Sequence, residues 1–167
     1  MKNNITKTMI IIFAVLALIL LGIQYLEYRT QSEAVVTTTN ETKTVDFVDG
    51  SSVVLSPNST IKYTNYFNEK GRFVELVKGS GRFTVVEEKG KFRVKTAREI
   101  ITILSSETST VFDTNFGESQ TKIIVKEGKV NVRQNATEQG QTDMKSIKIE
   151  AGEEAISTKG NLEKISR

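Results

Sequence analysis

From Thr44 onward, apolar residues recur at every second position in short runs, and each run is cut by a turn. Val45 and Phe47 alternate with polar neighbours up to Asp49-Gly50. Val53 and Leu55 follow, then Ser56-Pro57-Asn58, then Ile61 and Tyr63. A period of two belongs to strands with one covered face, and Asp-Gly between two such runs is a strong hairpin signal. The pattern continues through Val74/Leu76, Phe83/Val85, Phe92/Val94, Ile101/Ile103, Ile123/Val125, Val130/Val132 and Ile147/Ile149. Turns are expected near Lys70-Gly71, Gly79-Ser80-Gly81, Lys89-Gly90, Glu127-Gly128, Gly140 and Ala151-Gly152. No amphipathic helical period intervenes. The expectation is an all-β, short-stranded domain, solenoid- or sandwich-like, over residues 44–157. Roughly 120 residues suffice for one modest core between two apposed β layers.

The N-terminus obeys a different rule. Met9 to Ile23 reads MIIIFAVLALILLGI, without a charge. With Thr8 and Gln24-Tyr25-Leu26 the run is about 28 Å long as a helix at ~1.5 Å per residue, close to the ~30 Å of a bilayer core. Its Leu, Ile, Val and Phe residues together favour insertion by about 3–7 kcal/mol. A core helix would show a polar face, and this run has none. A cleavable signal peptide would need small residues at its end, and Gly22-Ile23-Gln24-Tyr25-Leu26-Glu27 offers no such pattern. The reading is one transmembrane helix over 9–26, preceded by a stub at 1–8. Lys2 and Lys7 lie before it, whereas Glu27, Arg29 and Glu33 nearly cancel after it. The positive-inside rule then keeps the N-terminus in the cytoplasm and puts the β domain on the far, extracytoplasmic side of the membrane. The Thr-rich stretch within 27–43 reads as a polar linker, with Ala34-Val35-Val36 as a candidate first strand inside it, and 158–167 as a tail.

Composition removes several classes of chemistry. The sequence has no Cys and no His, so disulfides, thiolate nucleophiles, most zinc sites and every His-dependent triad are excluded. The chain carries 23 basic and 20 acidic residues. With Lys2 and Lys7 set apart, the remainder is nearly neutral, and no basic patch marks it for nucleic acid. No cofactor or metal is expected, and no catalysis. Glu87-Glu88 and Glu153-Glu154 are adjacent acids, which on a strand point to opposite faces and make no acid/base pair.

Read as a whole, residues 44–157 resemble the FecR family of periplasmic regulators. The family block L-P-D-G-S-x-V-x-L-N-x-x-S is matched by Phe47-Val48-Asp49-Gly50-Ser51-Ser52-Val53-Val54-Leu55-Ser56-Pro57-Asn58-Ser59. R-x-V-x-L-x-G is matched by Arg72-Phe73-Val74-Glu75-Leu76-Val77-Lys78-Gly79, ending in Phe83-Thr84-Val85. Phe92-Arg93-Val94-Lys95-Thr96, the stretch from Thr121 to Val132 with Glu127-Gly128, and Ile149-Glu150-Ala151-Gly152-Glu153 supply three further blocks in order. In the middle, the family's V-L-G-T-x-F is replaced by Ile103-Leu104-Ser105-Ser106, with Phe112 further along.

The resemblance implies a signal-transducing module whose partners are envelope proteins, a transporter or a sigma/anti-sigma system among them. Eight residues before the span are few beside the ~20–30 per side of a specific interface, so direct sigma-factor binding is not expected of them. Asp49, Gly50, Ser51, Gly79, Glu127, Gly128 and Gly152 are expected to be structural turn residues. Gly79-Ser80-Gly81 has no helix after it and is read as a bulge or turn rather than a phosphate loop. Lys89, Lys91, Arg93 and Lys95 share one face of a strand and form a candidate docking strip for an acidic partner or anionic headgroups. The alternative reading is an LptC-like lipid-handling or scaffold protein, which would need an apolar interior groove open to solvent.

Overall fold

The computed structural model describes residues 2–29, 33–64, 71–87, 90–104, 109–135, 145–159 and 161–165. The chain divides into two units, Met1–Ser32 and Glu33–Arg167.

The first unit contains one helix, α1, Lys2–Arg29. Its side chains are described at Met9 and over residues 12–25. Ile12, Phe13, Leu16, Leu18, Leu20 and Leu21 are all at least half exposed, on every side of the helix. Among the described residues no helix is long and apolar enough to cross a membrane.

The second unit is all β. Its strands are β1 (Glu33–Thr37), β2 (Lys43–Asp46), β3 (Ser52–Leu55), β4 (Thr60–Thr64), β5 (Arg72–Val85), β6 (Phe92–Lys95) and β7 (Glu99–Ile103). They continue as β8 (Thr110–Phe116), β9 (Gln120–Glu127), β10 (Lys129–Gln134), β11 (Ser146–Glu150), β12 (Glu154–Thr158) and β13 (Asn161–Ile165). Two layers result. One runs β1-β4-β5-β6-β7-β10-β11 and the other β2-β3-β5-β8-β9-β12-β13. All pairings are antiparallel except β5 with β6, where Arg72 to Glu75 run beside Phe92 to Lys95 in the same direction. β5 passes through both layers, and β6 begins again beside Arg72.

β5 differs from expectation. Val74/Leu76 and Phe83/Val85 were to be separate strands around a turn at Gly79-Ser80-Gly81, yet they belong to one fourteen-residue strand. Its first half pairs with β4 and β6, its second with β3 and β8. A register shift opposite Thr60/Ile61 and a positive φ of 84° at Gly79 turn the strand from one layer into the other without ending it. The linker expected over 27–43 also differs. Residues 33–37 are β1, in register with β4 from Glu33↔Thr64 to Thr37↔Thr60. The tail expected over 158–167 contains β13, paired with β12.

The core lies between the layers, where the inward phase of each strand meets. Leu55, Ile61, Leu76, Phe83, Phe92, Phe112, Ile123 and Ile149 are fully buried. Each such side chain contributes about 1.5–3 kcal/mol relative to exposure. Phe83 and Phe112, cross-strand partners, stack with ring centroids 5.2 Å apart. Phe47 meets Tyr63 edge-on at 5.1 Å, so the β2–β3 side of one layer locks against β4 of the other.

Candidate functional site

The most organised polar constellation is buried beside the Asp49-Gly50 turn. Gly50 takes φ 80° in the tight β2–β3 connection, which leaves Asp49 free to fold back over its own turn. Its Oδ1 accepts the Ser51 backbone N–H at 3.0 Å, and its Oδ2 accepts the Ser51 hydroxyl at 2.9 Å. Arg72 opens β5 in the same inward phase as Val74 and Leu76, so its guanidinium is carried into the core. There Nη1 donates to Asp49 Oδ2 at 2.6 Å and to the Val86 carbonyl at 3.0 Å. Nη2 donates to the Gly90 carbonyl at 3.2 Å. The guanidinium also lies over the Phe92 ring, 5.4 Å from its centroid. Ser51 Oγ accepts the Val86 N–H.

The two side chains of the ion pair are only 5% and 4% exposed. This knot ties the β2–β3 turn, the start of β5 and the β5–β6 return into one corner. With both charges nearly closed to solvent, its work is structural. Asp49, Gly50 and Ser51 lie in the β2–β3 turn, and their partner Arg72 was not among the candidates read from the sequence. The available signal was a charged residue in phase with buried aliphatics two and four positions later.

Gly79 and Gly128 mark crossings between the layers. A Cβ on Gly79 would lie 2.3 Å from Ser59 Oγ and 2.7 Å from Ser59 Cα. The space is taken because Ser59 Oγ donates to the Ser80 carbonyl and accepts the Ser80 N–H. Gly128 is pressed in the same way against Thr110, 2.4 Å from its Oγ1. Glu127, next to it, is exposed at the end of β9. Gly152 turns β11 towards β12, and its N–H donates to the Val125 carbonyl. A second missed group is Glu99, wholly buried in β7, whose Oε2 accepts the Thr96 hydroxyl at 2.6 Å.

The candidate docking strip is partly assembled. Arg93 and Lys95 lie on the outer face of the first layer, and Lys91 is exposed just before β6. Lys95 is engaged, 3.4 Å from Glu75 on the neighbouring strand. Lys89 lies outside the described residues. The cross-strand registers add Lys62, Arg133 and Lys148 to the same face, alongside the acidic Glu75 and Glu150, which pair with Lys95 and Lys129.

The outer face of the second layer is different. It holds an open hollow of about 500 Å³, with Val54 and Ile124 beside the Arg82–Asp113 pair, Asn115 and Lys122. Arg82 binds Asp113 twice, Nε to Oδ1 at 2.7 Å and Nη2 to Oδ2 at 3.1 Å. This bond and the adjacent charge raise the Arg82 pKa still further. Among the described residues no group of three or more carboxylates could hold a metal ion.

Glu153, beside the Gly152 turn, carries a pH response. Its carboxylate lies 2.7 Å from Lys164 Nζ and accepts the Glu150 N–H at 2.8 Å. The hydrogen bond from Lys164, the one from Glu150 and the nearby ammonium charge hold its pKa below the ordinary carboxylate value. A depressed folded pKa means the stabilisation is complete above the unfolded value and is lost as pH falls through the folded one. A carbon-detected NMR titration of Glu153 is expected to show a low midpoint, and Lys164→Met should move it upwards.

Together these features define a two-layered β domain with a packed centre, charged outer faces and a buried structural ion pair. The FecR protein family model matches residues 33–131, and the chain belongs to that family. Two crystal structures of candidate anti-sigma factors from Parabacteroides distasonis share the fold. One superposes with TM-score 0.68 at 21% identity over 81% of this chain and 60% of its own. The other gives 0.67 at 22%, over 80% and 59%. This chain thus spans about 60% of the length of those proteins. Among curated proteins no relative matches it.

Proposed function

We propose that this chain is a membrane-anchored extracytoplasmic regulator that acts in sigma-factor-linked signalling by binding an envelope protein, and not by catalysis. The FecR match over most of the β domain carries the reading. The likeness in fold to candidate anti-sigma factors supports it. Anchoring is supported by the uncharged run Met9 to Ile23 and by apolar side chains exposed on all sides of α1. The positive-inside rule then puts Lys2 and Lys7 in the cytoplasm and the β domain outside. The partner-binding cations would be Lys91 and Arg93, joined by Arg133 and Lys148 on the same face.

The alternative, lipid handling, needs an open apolar groove. Between these layers Val53, Leu55, Phe83, Phe112 and Val125 are all buried and fill the space, which favours the regulatory reading.

The test is a transcriptional reporter under the sigma factor whose signalling pathway includes this protein. Deletion is expected to change its output, and Arg93→Glu with Arg133→Glu to change it in the same sense. A reporter indifferent to the deletion rejects the proposal. Protease added outside spheroplasts should remove the β domain, and full protection would reject the topology.

A further inference from the structure

The edges of the two layers are not equally protected. At one side β11 lies against β9 and β13 and so closes the gap between the layers. At the other side the edges are β1 and β2. β2 has only four residues, with exposed Lys43 and Asp46 at its ends. Short length and charge are the usual devices that keep an edge from pairing with another chain.

β1 lacks them. It reads Glu-Ala-Val-Val-Thr, has no Lys or Pro, and keeps unbroken register with β4 from Glu33 to Thr37. Among the described residues no strand pairs with its second edge. At its centre Val35 is 57% exposed, and Val36 lies partly buried at the rim of the core.

We infer that β1 pairs antiparallel with β1 of a second copy of this chain, about a twofold axis at Val35, and so joins two first layers into one continuous sheet. An edge strand with its backbone groups unpaired can take any extended segment, and two features favour its own copy. The register centred on Val35 puts Val35 beside Val35, Ala34 beside Val36 and Glu33 beside Thr37. No like charges then face each other, since the two Glu33 side chains are about 14 Å apart along the strand. Lys62, the neighbour of Val35 on β4, flanks the valine pair symmetrically on both sides. A slip by one residue would send Val35 and Val36 to the wrong faces.

A five-residue strand pair buries far less than the roughly 1,200–2,000 Å² of a stable interface. The contact therefore suits chains already confined together, as two α1 helices in one bilayer would be. Its strength, though not its register, rests on the anchoring proposed above.

The chain has no cysteine of its own, which makes single-cysteine crosslinking clean. The full chain is reconstituted in phosphatidylethanolamine–phosphatidylglycerol vesicles and oxidised, with flotation of the vesicles reporting anchoring separately. Val35→Cys should give a disulfide-linked dimer, because paired strands bring Cα atoms within the ~4.4–6.8 Å a disulfide requires. Val54→Cys, exposed on the other layer, should not. Glu33→Cys and Thr37→Cys chains should crosslink when mixed and lose the dimer band when each is alone. A Val35→Cys dimer no stronger than the Val54→Cys control overturns the proposal. Self-crosslinking of Glu33→Cys as strong as that of the mixture overturns the register. Should the chain fail to float, the same oxidation in concentrated solution decides the question, and the reporter result above stands apart from either.

Discussion

Arg72→Ala is expected to lower the stability of the β domain by about 3–5 kcal/mol, because it leaves the Asp49 carboxylate buried without its cation. Asp49 is then held in a turn that cannot open to water without unpicking β2 from β3. The Val86 and Gly90 carbonyls lose their donors in the same step, so the β5–β6 return loosens with the turn. Urea unfolding followed by far-ultraviolet circular dichroism reads the loss as a shift in midpoint. Asp49→Ala should cost a similar amount, since the guanidinium is then the stranded charge. The double variant should cost much less than the two together, because the dominant penalty is the unpaired charge and not the missing bond. Additive losses would show that the two residues act independently.

Gly79→Ala is the second large effect, expected at about 2–5 kcal/mol from a strained φ and an unavoidable overlap. Part of the overlap is with Ser59 Cα, so no rotamer change relieves it. The comparison is Gly152→Ala, at φ 87° with nothing within 4 Å of the added Cβ. That variant bears the backbone strain alone, about 1–2 kcal/mol. The difference between the two isolates the close approach of β5 to Ser59. Equal losses would mean that Ser59 yields freely.

Much of this architecture is legible in the residue pattern, and the misses have physical reasons. Runs such as Phe83/Val85 and Val130/Val132 alternate cleanly because one face of each strand is dry and the other wet. β1 shows in the Thr-rich stretch only as the candidate strand Ala34-Val35-Val36, because an edge strand is covered on one side only and its polar neighbours look like linker residues. β13 hides because only Leu162 of its five residues is buried. The glycines at 79 and 81 suggest a stop, yet a strand passing between layers also needs bare backbone. The Asp49 turn is readable from local chemistry. Its union with Arg72 is not, because the two are 23 residues apart and meet only through the fold.

Two stacked sheets held only by side chains have a cleavage plane along which they can slide or part. Here the main chain crosses that plane in the middle of β5, and β3, β4, β6 and β8 all take their alignment from this one strand. Neither sheet can shear without dragging the other. A force applied to either outer surface therefore displaces the domain as a single lever rather than rearranging it within.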